Sequence, residues 1–292
     1  DLACSPPSNA YLREDQLDAA EIWAPLRTFV CGTCFLVQTQ DFHSPGELFV
    51  TDYGYFSATS ASWLKHCEAY VGMAAERLQL GPASLVVELA SNDGYLLQYV
   101  KQRGIPCLGI EPTLSTAESA RAKGIEVITE FFGTALGQQL AAQGRSADLV
   151  IGNNVLAHVP NINDFLGGVT NLLKEDGVAT FEFPHLLQLI RFNQFDTIYH
   201  EHYSYLSLLA VEHIARHVGL QVFDVEKLPT HGGSLRVYLQ RSDTGQQPQG
   251  ANVAALLKEE IDAGLRDLAT YGKFQSVTRD IKFAFLEFLL EQ

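Results

Sequence analysis

The sequence lacks the features that mark several common classes of protein. Its 34 Asp and Glu residues outnumber 20 Lys and Arg, for a formal net charge of −14. No local basic stripe offsets this charge, which argues against binding to nucleic acid. No apolar stretch reaches the roughly 20 residues of a membrane span. With 47% hydrophobic residues among 292, the chain is not disordered, and we expect a soluble protein with one large core or two smaller ones.

Cysteine is scarce and irregularly spaced. Five cysteines, an odd number, do not resemble the framework of a small secreted scaffold, and a reducing cytoplasm fits better. The chain starts at Asp1 rather than Met, lacks the pattern of a signal peptide and stops in an apolar helical stretch at 288–290. We therefore expect both ends to continue in a longer protein.

Two of the cysteines form a C-x2-C knuckle, Cys31-Gly32-Thr33-Cys34, between strand-like runs at 28–30 and 35–37. Two thiolates at this spacing can bind one side of a tetrahedral zinc ion. The second side needs further ligands, which Cys4 alone cannot supply, although His43 could contribute. Two free thiols in a turn are the competing interpretation, and a redox motif is disfavoured because no βαβ pattern surrounds it.

From residue 63 onward, helical and strand patterns alternate. We predict strands over 84–89, 107–110, 126–129, 148–151 and 178–183, and helices over 63–78, 95–103, 115–123, 134–143 and 162–173. Five consecutive β/α units predict an α/β fold with a doubly wound sheet.

The pattern changes after Pro184. A helix over 209–218 precedes two closely spaced strands, 221–227 and 234–240, which we expect to pair antiparallel. Residues 245–250 have the composition of a linker, and the final forty residues have the spacing of one opening helix of a further domain. We accordingly divide the chain into an N-terminal module (1–62), a central domain (63–242) and the start of a C-terminal domain (243–292).

The turn after the first predicted strand suits an adenosyl cofactor better than a dinucleotide. It reads Glu88-Leu89-Ala90-Ser91-Asn92-Asp93-Gly94, with one glycine where dinucleotide binders have three. Glu111 closes the second strand, where a carboxylate can accept hydrogen bonds from both ribose hydroxyls, although it could also be a solvated loop acid. S-adenosylmethionine fits this pattern. The predicted cofactor-binding residues are Glu88, Ala90, Asn92, Asp93, Gly94, Glu111, Asn153 and Phe132, the last of which could instead be a core residue.

Four longer segments extend this interpretation. They are VVELASNDGYLL at 86–97, GIEP at 109–112, NNVLAHVP at 153–160 and FDTIYHEHYSYLSL at 195–208, and THGGSLR follows at 230–236. Together they resemble the three-domain S-adenosylmethionine-dependent sugar C-methyltransferases. The resemblance implies a Rossmann-like class I methyltransferase sheet between a zinc-binding module and a C-terminal substrate domain that is truncated here. It also implies methylation at C3 of a nucleotide-linked 4-keto-deoxysugar.

The same resemblance implies roles for individual residues. Cys31 and Cys34 match the second pair of a four-cysteine zinc site, whose first pair falls before Asp1, while Cys4 matches a position that is not a ligand. The implied catalytic residues are His202 as general base, Glu201 and Tyr199 beside it, Asn154 and His158 from the loop after the fourth strand, and Tyr53 from the N-terminal module, which would then act as a lid.

The chemistry of C-methylation needs such a set of groups. A base must remove the proton next to a ketone, donors must stabilise the enolate oxygen, and the two substrates must be aligned. Chemistry alone does not choose between His200 and His202, which an extended segment would place on one face with Glu201 opposite. Asn154 and His158, four residues apart, would face the same way on a helical turn.

Three further positions admit more than one role. Tyr55 could replace Tyr53, the THGG segment is favoured as a tight hairpin turn, and Arg236 could meet a nucleotide phosphate. The expected partner is a small nucleotide sugar, and a monomer is slightly preferred. An NAD-dependent nucleotide-sugar oxidoreductase or epimerase is the main rival function, and a non-catalytic binding module is the second.

Overall fold

The computed structural model describes residues 1–8, 11–42, 46 and 55–292, and its N-terminal part contains two small sheets. Strand β1 (Cys4–Ser5) pairs antiparallel with β2 (Ala24–Pro25), and β3 (Thr28–Val30) pairs with β4 (Val37–Thr39). Strand β4 also pairs with β10 (Ser204–Tyr205), which comes from much later in the chain. The N-terminal part is therefore joined through its backbone to the segment that contains the predicted general base.

A seven-stranded sheet forms the centre of the protein. Its order is β11-β12-β9-β8-β5-β6-β7. The strands are β5 (Val86–Leu89), β6 (Cys107–Ile110), β7 (Glu126–Ile128), β8 (Ala147–Asn153), β9 (Leu173–Pro184), β11 (Leu220–Leu228) and β12 (Ser234–Arg241). β5 to β9 are parallel, and β12 is antiparallel to both of its neighbours. The predicted doubly wound sheet and the predicted antiparallel pair are both confirmed.

Helices cover the sheet on both faces. They are α1 (Ala61–Arg77), α2 (Leu97–Gln102), α3 (Leu114–Ala122), α4 (Thr134–Ala142), α5 (Ile162–Leu172), α6 (Leu186–Phe192), α7 (Leu208–His217), α8 (Ala251–Asp262) and α9 (Leu268–Leu290). The final forty residues form two helices rather than the predicted one, because Gly264, with φ of 89°, ends α8. Across the described part of the chain, none of the helices has the length and apolar character to cross a bilayer.

The two faces of the sheet have separate cores, as the two-residue period of a strand requires. Val86 packs toward α1, while the next residue, Val87, belongs to the opposite core with α5 and α7. The α1 face carries polar residues at the carboxyl ends of the strands, where Asn153 of β8 pairs in register with Glu182 of β9. This edge lies where the strand order reverses between β5 and β8, the usual place for a ligand in such folds.

The predicted linker at 245–250 is held against the sheet. The side-chain amide of Gln240 donates to the Gln247 carbonyl at 2.8 Å and accepts from the Gln247 amide at 2.7 Å. The Gly250 amide donates to the Phe223 carbonyl at 2.7 Å. Helix α8 then buries Val253 and Leu256 in the core shared with α7 and β11. The start of the predicted C-terminal domain is thus packed into the central core.

Glu260 makes the polar part of this contact. Its carboxylate is fully buried and accepts hydrogen bonds from the amides of Leu208 at 2.7 Å and Leu209 at 2.8 Å, the first two residues of α7. It also lies 2.8 Å from Nε2 of the buried His185. A carboxylate at the first turn of a helix satisfies its unpaired amides and interacts favourably with its dipole. Glu260 therefore caps the start of α7 together with the Ser207 hydroxyl, which accepts from the Ala210 amide at 3.2 Å.

We expect Glu260→Ala to lower the free energy of unfolding by roughly 3 kcal/mol, because it leaves two buried amides and an imidazole without their acceptor. Urea denaturation followed by circular dichroism measures the change. Glu259→Ala is the matched control. Glu259 pairs with Arg191 and Lys227 at the surface, and its loss should cost less than about 1 kcal/mol. Equal losses in the two variants would contradict the assigned role of Glu260.

Candidate active site

The turn between β5 and α2 is tight and lies at the carboxyl edge of the sheet. Ala90, Asn92 and Gly94 all have left-handed backbone conformations, with φ of 53°, 48° and 76°. A Cβ on Gly94 would lie 2.5 Å from Cδ1 of Ile125, so this position requires glycine. Left-handed Ala90 and Asn92 provide the turn that glycines provide in a dinucleotide-binding loop.

Glu111 is built into this turn from the neighbouring strand. Its carboxylate accepts hydrogen bonds from the amides of Asn92 and Thr113, each at 2.9 Å. The side chain is buried rather than solvated, and burial raises its pKa while the two amides oppose the shift. A carboxylate oxygen can accept more than one hydrogen bond, so Glu111 can still bind a diol. The interpretation of Glu111 as a solvated loop acid is wrong.

Several polar groups at this edge are buried without partners. Neither amide atom of Asn153 nor Oδ1 of Asp93 has a hydrogen-bond partner among the described residues. Burial raises the pKa of Glu88 well above its usual value, with the Tyr95 hydroxyl opposing. Unsatisfied buried polar atoms are costly. Their chemistry fits a ligand that carries its own donors and acceptors, as an amino acid joined to an adenosyl group does.

Phe132 packs against the core that contains α5. It is half-buried and packs edge-on against Phe165 of α5, with ring centroids 5.4 Å apart, at the margin of the core. Phe131 beside it is exposed. The packing is that of a core aromatic, and contact between Phe132 and adenine stays a prediction.

His202 has a defined tautomer. Its Nδ1 lies 2.9 Å from the Thr197 carbonyl, which can only accept, so Nδ1 carries the proton. Nε2 is therefore the acceptor for the Tyr199 hydroxyl at 2.8 Å. The lone pair of the imidazole thus points toward Tyr199, whose ring packs at 4.0 Å from that of His202.

A second imidazole packs against the first. The ring of His158 meets that of His202 edge to face, with centroids 4.7 Å apart. Burial lowers the pKa of His202 to about 3, and the proximity of His158 adds to the shift. Burial likewise lowers the pKa of His158 to about 4, against a backbone hydrogen bond to Glu201. Both imidazoles are neutral at physiological pH.

The residues between Tyr199 and His202 form a turn that contacts the N-terminal part of the chain. The amide of His202 donates to the Tyr199 carbonyl at 3.0 Å, which closes a turn. Nε2 of His200 lies 3.2 Å from the Ala24 carbonyl, and Glu201 accepts from Ser8 at 3.2 Å. The segment is therefore not extended, and the predicted common face for His200 and His202 is wrong. The structure directs His202, not His200, toward His158.

The loop after β8 differs from its predicted form. Asn154 is left-handed, with φ of 53°, and its amide donates to the Glu182 carbonyl at 2.7 Å. His158 ends a separate short 3-10 turn, Leu156–His158. Their spacing predicted that Asn154 and His158 share one helical turn, but in the structure they do not. Predicted Tyr53 lies outside the described residues, and the nearby Tyr55 is exposed, with its carbonyl accepting from Asn92 at 3.1 Å.

A buried ionic network, which the sequence patterns did not predict, lies beside Asn154. Glu182 accepts from Arg236 at 2.7 Å and from Thr230 at 2.9 Å, and lies 2.8 Å from Nε2 of His66. Burial alone would raise the pKa of Glu182, but His66 and Arg236 together lower it. The one available signal was an acid within the apolar run of β9.

The structure distinguishes between the alternative roles of Arg236 and of the THGG segment. Arg236 is 4% exposed and is paired with Glu182 and with Glu226, at 3.3 Å, so it is not free to meet a phosphate. The turn interpretation of the THGG segment is confirmed, since Thr230–Gly232 forms a 3-10 turn with His231 at φ of 50°. Trp63 packs between His66 and His231, with centroids 5.1 and 5.4 Å away.

The knuckle cysteines lie at the turn between β3 and β4. All five cysteines are free, and Cys31 and Cys34 are partly exposed. Within the described ranges, no cluster of three or more His, Cys, Asp or Glu side chains is placed to hold a metal ion. The two thiols can supply half of a tetrahedral zinc set. The fit to zinc is therefore partial.

Comparison with known proteins identifies the class. A family model described as a methyltransferase domain matches residues 67–225, over half of the chain. Models described as a putative zinc binding domain and as a C-methyltransferase C-terminal domain match residues 1–49 and 229–292. The chain belongs to the methyltransferase-domain family, and the matches to the other two models lie on either side of that domain in the sequence. These matches give no support to an NAD-dependent oxidoreductase or epimerase.

One curated relative is similar over most of the chain. C-methyltransferase NovU of Streptomyces niveus is 35% identical over 271 residues, which cover 92% of this chain and 64% of the relative. The chain therefore spans less than two thirds of that protein.

Solved structures support the fold. PH0226 protein from Pyrococcus horikoshii has a TM-score of 0.53 at 15% identity, covering 64% of this chain and 94% of its own. An S-adenosylmethionine-dependent methyltransferase from Clostridium acetobutylicum has a TM-score of 0.50 at 14% identity, covering 63% and 92%. The predicted Rossmann-like class I methyltransferase sheet is confirmed.

We expect the C2 protons of His158 and His202 to show no titration between pH 5 and pH 8, because burial lowers the pKa values of these groups to about 4 and about 3. Proton NMR measures this, with His158→Gln and His202→Gln assigning the two signals and the urea-unfolded chain, titrating near pH 6.5, as control. Since the unfolded chain binds these protons more readily, both groups destabilise the fold as the pH falls from about 6.5 toward 4. Titration of either signal near 6.5 would refute the assigned burial.

Proposed function

We propose that this protein uses S-adenosylmethionine to methylate C3 of a nucleotide-linked 4-keto-deoxysugar by way of an enolate. The observation that carries the proposal is the neutral, hydrogen-bonded imidazole of His202, next to the loop after β8 whose first residues close the predicted cofactor site. The similarity to NovU, a C-methyltransferase, supports the same reaction type. Methylation of a carbon atom requires a base that removes the proton from that carbon, and His202 can be this base.

The cofactor-binding residues are proposed as a group. S-adenosylmethionine supplies an electrophilic methyl group when bound. Glu111 would accept from both ribose hydroxyls, and the side chains of Asn153 and Asp93 would bind the amino-acid part. Glu88, buried beneath them, and the left-handed turn through Ala90, Asn92 and Gly94 would shape the pocket.

The proposed base is the pair of His202 and Tyr199. The proton on C3 of the sugar passes to Nε2 of His202, either directly or through the Tyr199 hydroxyl that is hydrogen-bonded to this lone pair. The electrons of the C–H bond would form the enolate, in which C3 is the nucleophile that takes the methyl group, and the sulfonium would leave as a neutral thioether. Burial lowers the pKa of His202, and negative charge from a diphosphate or an enolate nearby would raise it again. Asn154 and His158 would bind the 4-keto oxygen, with Glu201 supporting the turn.

The remaining modules complete the proposal. Residues 1–62 would form a lid that carries Tyr53 into the acceptor site and binds zinc through Cys31 and Cys34 with further ligands. Residues 63–242 would bind both substrates, and residues 243–292 would begin a substrate domain. We also propose a cytoplasmic location, where the five free cysteines would stay reduced.

Hydrogen exchange at the acceptor carbon tests the proposed base directly. In D2O with S-adenosylhomocysteine, the protein should introduce deuterium at C3 of a thymidine diphosphate-linked 4-keto-deoxysugar, read by NMR. His202→Asn should slow this exchange by roughly 10²- to 10⁴-fold, because the proton acceptor is lost. His213→Asn, on α7, is the control. Exchange at the wild-type rate in His202→Asn would remove His202 from the reaction. If no labelled methyl group passes from S-adenosylmethionine to any 4-keto sugar, the proposed function is overturned.

Glu111→Gln should weaken binding of S-adenosylhomocysteine by about 10- to 100-fold, because one oxygen of a charged acceptor is replaced by a donor. Isothermal titration calorimetry measures the affinity. Glu118→Gln, an exposed change on α3, should leave it unchanged. Deuterium exchange at C3, measured at saturating cofactor, should persist in Glu111→Gln. Unaltered affinity in a folded Glu111→Gln protein would contradict the proposed ribose contact.

A further inference from the structure

Three consecutive residues of the loop that carries the proposed base are each bonded to a different part of the N-terminal module. His200 contacts the carbonyl of Ala24, which lies in β2. Glu201 accepts from the hydroxyl of Ser8 at 3.2 Å. The carbonyl of His202 itself accepts from the Thr39 hydroxyl at 2.6 Å, at the end of β4. The N-terminal module therefore contacts the backbone of His202 itself, and not only the two residues before it.

Thr39 is the central member of this contact. It is 8% exposed, and its amide donates to the Tyr203 carbonyl at 3.1 Å, in addition to the bond from its hydroxyl. The two bonds continue the pairing of β4 with β10, in which Val37 lies opposite Tyr205. Thr39 thus donates hydrogen bonds to two successive carbonyl groups, those of His202 and Tyr203.

The other side of the same loop is held by the segment that follows β8. The amide of Tyr203 donates to the Ala157 carbonyl at 2.7 Å, within the short turn that ends at His158. The peptide groups at 202 and 203 are therefore clamped between the N-terminal module and the turn that carries the second imidazole. The hydrogen bonds of the His202 side chain, to Thr197 and Tyr199, both lie within the same loop, and outside the loop the ring packs against His158. The clamp therefore joins the backbone of His202 to elements on both sides of this loop.

We propose that Thr39 is a positioning residue for the methyl transfer, through which the N-terminal module sets the alignment of His202. The inference rests on the proposed function, in which His202 accepts the proton. Removal of the Thr39 hydroxyl leaves the His202 carbonyl without its donor in a buried place, so the loop relaxes and the imidazole moves away from C3. Small displacements of a catalytic group cost up to about 100-fold in rate.

The variants Thr39→Val and Thr39→Ser test this inference. Valine has the shape of threonine without its hydroxyl, whereas serine keeps the hydroxyl. We expect Thr39→Val to lower kcat by about tenfold while the KM for S-adenosylmethionine stays within about twofold. Thr39→Ser should remain close to the wild type. Urea denaturation shows whether each variant is folded.

A second measurement does not depend on turnover. Hydrogen–deuterium exchange followed by mass spectrometry reports on the amides of residues 199–205. In Thr39→Val this peptide should exchange about tenfold faster, with the strands of the central sheet unchanged, whereas Thr39→Ser should retain the protection. Unchanged exchange in Thr39→Val, equal losses in both variants, or faster exchange with normal kcat would each overturn the role of Thr39. If His202→Asn proves fully active while the exchange contrast persists, the proposed base fails and the clamp remains.

Discussion

The arrangement of the site depends on one hydrogen bond, from Nδ1 of His202 to the carbonyl of Thr197. This bond fixes the tautomer, and the tautomer decides which nitrogen can take up a proton. Burial then keeps the ring uncharged at ordinary pH, with its lone pair accepting the hydrogen bond from the Tyr199 hydroxyl. An isolated buried imidazole would be a weak base. In the proposed reaction, the entry of a negatively charged reactant would raise this basicity, so that the strength of the base would depend on the bound acceptor.

The buried polar groups at the carboxyl edge of the sheet divide into two kinds. Glu182 is fully satisfied by His66, Arg236 and Thr230, and it supports the backbone of Asn154 without offering anything to a ligand. Asn153, its neighbour in register, has no partner among the described residues for either amide atom. Satisfied and unsatisfied groups thus lie side by side at the same edge of the sheet. The first kind provides rigidity, and the second provides binding capacity.

Much of the fold follows from the sequence because its periods are strong. Strands such as β6 and helices such as α5 have clear apolar patterns and short connections, and their predicted bounds agree closely with the structure. The site was harder to predict, since its geometry depends on non-local contacts. The turn through His200, the left-handed Asn154 and the pairing of β4 with β10 all depend on residues distant in sequence. No local period could indicate that Glu182 and Arg236 bind each other rather than a ligand.

The contact made by Glu260 has a consequence for the modular construction of such enzymes. Because α8 supplies the acceptor for the first amides of α7, the C-terminal portion is not an independent attachment. A chimera that exchanges this portion between two related proteins, with a junction before α8, would have to provide a carboxylate at the same place. Exchange of this C-terminal portion is therefore constrained by one carboxylate at the start of α7, and a junction after Leu265 would leave that contact intact.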